Sequence, residues 1–249
     1  MITLTFLGTG GAISQGRAYT SILVNNSILF DVAPTAPFHL SKMQKDFTAI
    51  NHVFVTHFHG DHTFGLPFLL LEYAFAAKRK TPLVIVGSGA IKEFTESLVE
   101  SAYPDAADHI LGQVPIEYIS IPKEGGDFNL EGISGIALPM SHGNIATFGY
   151  SLKIGNNRVA FSGDTGLCEN LLKLIESSDI VIVECSFLTT VVPGHMNIED
   201  IKEIKMILQR SDKEKKLILV HLGKEVEPFK LIRELPGVVV PDDLEEYTF

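Results

Sequence analysis

The sequence predicts a mixed α/β fold, and three observations carry that expectation. Strand-like segments rich in Ile, Leu, Val and Phe come early and often, longer stretches with helical apolar spacing lie between them, and the two kinds alternate without a regular βα unit. With 249 residues, 45% of them hydrophobic, and no Pro- or Ser-rich linker, the chain can fill one large core. A single domain over 1–249 is the simpler expectation.

Residues 2–7, 20–24, 28–32 and 52–56 read as strands, separated by turns containing Gly, Asn or Pro. Residues 64–77, apolar and without glycine after Gly65, and residues 93–102, with polar and apolar positions mixed at helical spacing, read as helices. Strands are expected again at 83–86, 116–120, 132–139, 147–154 and 159–162, with Asn156-Asn157 as a hairpin turn. Then come a helix at 169–177, a buried strand at 180–184, a helix at 198–209 and a buried strand at 217–220. In the 198–209 helix, Ile198, Ile201, Ile204 and Leu208 share a core-facing stripe, and Asn197, with Asp200 three residues on, is placed to cap its start. The alternating charges of Lys202, Glu203, Lys205 and the 212–216 run read as a solvated face.

Composition excludes several classes of function. No apolar run approaches the ~20 residues that cross a bilayer, so no membrane partner is expected. A formal charge of −10 disfavours broad contact with phosphate backbones, which needs clustered Lys and Arg. Cys168 and Cys185 are the two cysteines, so a disulfide framework is not expected, and the chain opens into a strand without a basic leader. These features point to a cytoplasmic protein with reduced thiols. Gly8-Thr9-Gly10 follows a strand as a dinucleotide loop would, but Ile13 stands where the third glycine of that motif belongs. His39, His52 and His109 read as surface or capping residues.

The chemistry is concentrated in His57-Phe58-His59-Gly60-Asp61-His62, three imidazoles and a carboxylate directly after the apolar Val53-Phe54-Val55. Side chains two apart on an extended segment point the same way, so His57 and His59 can share one ion. The turn at Gly60 then carries Asp61 and His62 toward a second. Three further ligand types stand at element ends beside Gly or after an apolar strand: His142, Asp164 and His221. Mixed nitrogen and oxygen ligation suits Zn, with Mn or Fe as the alternatives.

Several separated motifs carry a resemblance. They are Phe6-Leu7-Gly8-Thr9-Gly10-Gly11, Leu29-Phe30-Asp31, the histidine cluster running into Phe64-Gly65-Leu66-Pro67, Ser162-Gly163-Asp164-Thr165-Gly166, and His221. In these the chain resembles the metallo-β-lactamase superfamily and, within it, the ribonuclease Z group of phosphodiesterases. The resemblance implies a four-layer αββα sandwich with two divalent ions at one edge. It implies that His57, His59 and His142 hold one ion and Asp61, His62 and His221 the other, with Asp164 bridging. Asp31 would orient a ligand imidazole. It further implies that His195, helped by the upstream Glu184, assists the leaving group, although this chain has His-Met-Asn and Glu-Cys-Ser-Phe where the family usually shows His-Ser-Thr and Glu-Ala-Thr-Phe.

The expected chemistry is phosphodiester hydrolysis by a metal-bridging hydroxide, with Asp61 orienting the hydroxide and His195 protonating the departing alkoxide. Residues 81–139 offer no counterpart to the Gly- and Pro-rich arm with which ribonuclease Z proteins grip tRNA. Together with the acidic charge, this favours a small or cyclic nucleotide-type diester over RNA. The rival readings are tRNA 3′ processing, thioester, lactone or β-lactam hydrolysis at the same centre, and a non-catalytic scaffold. Dimers are common in the family, so a homodimer is among the assemblies the resemblance implies.

Overall fold

A computed structural model describes residues 1–211 and 213–249, with the side chain of residue 229 left out. Residue 212, in the run read as solvated, lies outside the described residues. The chain forms two compact units, one of Met1–Gly8, Ala18–Ile121 and Asp243–Phe249, the other of Thr9–Arg17 and Pro122–Asp242. Each unit is built on one sheet with helices packed against it.

The first unit holds β1 (Thr3–Gly8), β2 (Ser21–Val24), β3 (Ile28–Phe30), α1 (Ala36–Lys42), β4 (His52–Phe54), α2 (Gly60–Thr63), α3 (Leu66–Leu71), β5 (Leu83–Ser88), α4 (Ile91–Ala102), α5 (Ala107–Gln113) and β6 (Ile116–Ile121). The C-terminal strand Glu246–Thr248 pairs with β1 and opens a seven-stranded sheet that continues through β2, β3, β4 and β5 to β6. Strands β3 to β6 are parallel, so residues that follow β3 and β4 emerge at the same sheet edge. Leu23, Leu29, Val53 and Ile85 pack against Leu66, Leu69, Leu70 and Tyr73 from the α3 region, all inaccessible to solvent. Burial of each such side chain is worth about 1.5–3 kcal/mol.

The stretch expected as one helix at 64–77 is broken. Gly65 turns its N–H to Val32 O (2.8 Å), where an added Cβ would lie 2.2 Å from Ala33 O, and α3 restarts with Pro67 in its first turn. A π-helical turn, Glu72–Ala76, follows α3. Just beyond it lies Arg79, 2% exposed. Its guanidinium donates to Thr81 O, Thr48 O, Ile50 O, Asn51 Oδ1 and Pro82 O at 2.7–3.1 Å. His52, expected at the surface, is instead a buried β4 residue stacked on Phe54.

The second unit holds β7 (Gly126–Leu130), β8 (Ile133–Pro139), β9 (Phe148–Ile154), β10 (Asn157–Phe161), α6 (Glu169–Glu176), β11 (Ile180–Glu184), α7 (Ile198–Leu208), β12 (Lys216–Val220) and α8 (Pro228–Glu234). Its sheet runs β12-β11-β10-β9-β8-β7. Strands β10, β11 and β12 are parallel, whereas β7, β8, β9 and β10 pair antiparallel in succession. The C-terminal ends of β8, β10, β11 and β12 therefore lie along one edge. The α7 stripe expected from sequence is buried, as are Leu171, Leu174 and Ile175 of α6, against Val181, Val183, Leu217 and Leu219. The β9–β10 turn falls at Gly155-Asn156, one residue earlier than expected, because Gly155 takes φ 59° without a Cβ to clash. The polar stretch at 123–127 runs directly into β7. Among the described residues no helix is long and apolar enough to cross a membrane.

Candidate metal centre

In the first unit, Asp31 follows β3 and Thr56-His57 follow β4, so parallel pairing sets them side by side. Asp31 adopts φ 53°, a left-handed conformation that Asp tolerates better than most residues. Its fully buried carboxylate accepts from Thr56 N–H (2.7 Å), the Thr56 hydroxyl (2.9 Å) and His62 Nδ1–H (2.7 Å). Burial pushes the Asp31 carboxyl above the ordinary carboxylate value, while His62 and Thr56 pull the other way. The Thr56 hydroxyl spends its one proton on Asp31, so at 3.1 Å it must accept from His57 Nδ1–H. That places the lone pair of His57 on Nε2.

The backbone at His59 is extended and caps α2, which carries Asp61 and His62 on its first turn. His57 Nε2 lies 2.9 Å from His59 Nδ1, and His62 Nε2 lies 3.4 Å from Asp61 Oδ2. Neighbouring ligand atoms around a tetrahedral zinc stand roughly 3.3 Å apart, given bonds of about 2.0–2.1 Å. All four residues of the sequence cluster thus lie together in this unit, in the pairs expected from their spacing.

In the second unit, His142 follows β8, Asp164 follows β10, Glu184 ends β11 and His221 follows β12, all at the edge where those strands end. His221 is a second left-handed residue, φ 55°. Gly11 explains part of the first sequence motif, since a Cβ there would sit 2.9 Å from His221 Cε1. His221 Nε2 is 3.3 Å from Asp164 Oδ1. His142 donates Nδ1–H to Gly194 O (2.9 Å), and its ring centroid lies 4.8 Å from that of His195. One ligand atom each from Asp164, His195 and His221 fall within 4.8 Å of one another.

Glu184 is the acceptor that His195, Thr165 and Ser186 share. It is 1% exposed and takes His195 Nδ1–H at 2.9 Å and Thr165 N–H at 2.8 Å on Oε1, with the Ser186 hydroxyl at 2.5 Å on Oε2. The expected Glu184–His195 pair therefore exists, and it directs His195 Nε2 away from the carboxylate. Ser186 was not legible as a site residue in the sequence. Cys185, between them, points into the core, and burial together with Glu184 and Asp200 pushes its thiol up to about 12, which makes it no nucleophile. A cavity of about 220 Å³ is lined by Ile13, Ser186, Phe187, His195, His221 and Lys224.

The donor chemistry fits divalent ions. His57, His62, His142 and His221 each commit Nδ1–H to an oxygen acceptor, the arrangement that fixes a ligating imidazole in its Nδ1–H tautomer and aims Nε2 at the ion.

A family model described as anti-Pycsar protein Apyc1 matches residues 2–239. A ribonuclease Z of Methanosarcina acetivorans is 25% identical over 301 aligned positions, covering 99% of this chain and 97% of that one. Among solved structures, a diphosphatase from the PhnP family superposes with a TM-score of 0.77 at 19% identity, covering 100% of this chain and 98% of the other. The metallo-β-lactamase fold protein YhfI from Bacillus subtilis does so at 0.77 and 17%, with coverage of 99% and 98%. These likenesses show the fold, a mixed α/β architecture with two sheets, as the sequence led one to expect.

Proposed function

Because this chain belongs to the anti-Pycsar protein Apyc1 family, within the ribonuclease Z-like group of the metallo-β-lactamase superfamily, we propose that it is a binuclear metal-dependent phosphodiesterase acting on a small or cyclic nucleotide-type diester. In this reading His57, His59 and His142 would hold one ion, Asp61, His62 and His221 the other, and Asp164 would be shared between them. Zinc suits this donor set. The committed Nδ1–H groups support the assignment most directly, since four imidazoles that each spend Nδ1 on an oxygen acceptor and turn Nε2 away from it are arranged as metal ligands are.

Two bound divalent ions supply charge neutralisation for the phosphoryl group and an acidified water. The chain supplies the rest. Asp61 accepts a hydrogen bond from the attacking water and so holds a lone pair toward phosphorus. His195, held through Nδ1 by Glu184, turns Nε2 outward and in its protonated form would give that proton to the departing oxygen, which would otherwise leave as an alkoxide.

A cavity of about 220 Å³ lies beside His195 and gives a diester's leaving group room to approach that ring. Residues 81–139 are taken up by β5, α4, α5, β6, β7 and β8 rather than by an extended arm. Homology to ribonuclease Z supports a second reading, RNA 3′-end cleavage. The deciding experiment assays the purified protein, with metal content measured in parallel, on cyclic nucleotides, linear diesters, precursor tRNA, and thioester and lactone panels. Turnover of small diesters with about two ions per chain is expected. Preference for precursor tRNA would install the second reading, and carbonyl substrates alone would overturn both.

A further inference from the structure

Each unit contains the same three-part arrangement: a buried carboxylate, a hydroxyl that donates to it, and an imidazole that donates to the hydroxyl. In the first unit the parts are Asp31, Thr56 and His57. In the second they are Glu184, Ser186 and His221, at 2.5 and 2.8 Å. In both, the hydroxyl residue also gives its own backbone N–H to the carboxylate, and the carboxylate directly binds a second imidazole, His62 or His195. Asp31 and Thr56 serve imidazoles that belong to one ligand set. Ser186 differs, because its two neighbours have different tasks.

We propose that Ser186 is a positioning residue that couples the leaving-group pair Glu184–His195 to the metal ligand His221. The inference rests on the function proposed above. Proton accounting supports it. The hydroxyl has one proton, and at 2.5 Å Glu184 Oε2 accepts it. The oxygen then accepts from His221 Nδ1–H, which fixes the Nε2 lone pair toward Asp164 Oδ1, 3.3 Å away. The same oxygen lies 3.3 Å from His195 Nδ1 and 3.3 Å from His221 O, so it also limits rotation of both rings. Ser186 is buried beside the cavity, and its Oγ is the atom shared by the carboxylate and both rings. A β-branched hydroxyl residue can supply the same oxygen, whereas Ala cannot.

The test compares wild type, S186A, S186T and H195A. Two-bond ¹H–¹⁵N NMR of histidine-labelled, metal-free protein reads the His221 tautomer without substrate or metal. The Nδ1–H form is expected in wild type and S186T, and a mixed or Nε2–H form in S186A. Zinc affinity, by competition with a chromophoric chelator, should fall roughly 10–100-fold in S186A and recover in S186T. At saturating metal, S186A should slow diesters with poor alkyl leaving groups more than nitrophenyl diesters, and that difference should vanish when S186A is placed on H195A. An unchanged His221 tautomer and zinc affinity in S186A would overturn the proposal, as would failure of a folded S186T to restore them. If wild type turns over no phosphodiester, the functional reading fails while the tautomer and affinity results still judge Ser186.

Discussion

At the scale of single residues, the histidine cluster was legible because its spacing is local: His57, His59, Asp61 and His62 are placed by one strand end and one helical turn. The hydroxyls that orient the imidazoles were not. Thr56 meets Asp31 across 25 positions and Ser186 meets His221 across 35, so only the pairing of β3 with β4 and of β11 with β12 reveals them. Glu184–His195 lies between these cases, since a family motif suggested it and the structure brings the two within 2.9 Å. Replacing His195 with Ala should lower kcat on a diester with an alkyl leaving group by about 10²–10⁴-fold. Bound metal, measured by atomic absorption, should stay as in wild type. Metal lost together with turnover would make His195 a ligand rather than a proton donor, an outcome its proximity to Asp164 and His221 makes worth checking.

Among secondary-structure elements, strands with strong β-branched character and α7 with its stripe were read correctly, while the short α1, α5 and α8 escaped notice. Each of the three has seven residues and too few turns for a repeating pattern to stand out. The break at Gly65 also escaped, because a close backbone approach leaves no periodic trace. The α7 start did leave one: Asn197 accepts from the N–H groups of Glu199 and Asp200, and Asp200 accepts from Asn197 N–H, a full capping box. N197A should cost about 1 kcal/mol in urea unfolding and N197S much less. At the C-terminal strand, hydrogen bonds from Lys45 and Thr5 hold the Glu246 carboxyl below its ordinary value. A depressed folded value means the contribution is present above the unfolded pKa and disappears as pH falls through the folded one. The unfolding free energies of E246Q and wild type from urea titrations should therefore differ by up to roughly 1 kcal/mol at pH 7 and converge in acid below the folded value. A gap that persists there would assign the effect to packing.

For the molecule as a whole, fold class was accessible from the alternation of strands and helices, but the division into two units was not. That division interleaves the sequence, with Thr9–Arg17 belonging to the second unit between two pieces of the first, and no composition shift marks it. Ligand binding to the folded state alone adds stability of about 2.7 kcal/mol per ion at a hundredfold excess over Kd. Chelation should accordingly lower the calorimetric Tm by roughly 5–10 °C per ion, given about 2–4 °C per kcal/mol for a chain of this size. Adding zinc back should restore it, and a Tm indifferent to chelator would contradict the metal reading. The guanidinium sealed beneath the π-helical turn obeys a different rule from the Lys45–Glu246 contact. Arg79 is embraced by four peptide carbonyls and one amide oxygen, with no anion among those five acceptors. Neither protons nor dissolved ions can neutralise such acceptors, so this rivet should grip with undiminished force in acid and in brine, long after surface charge pairs have let go.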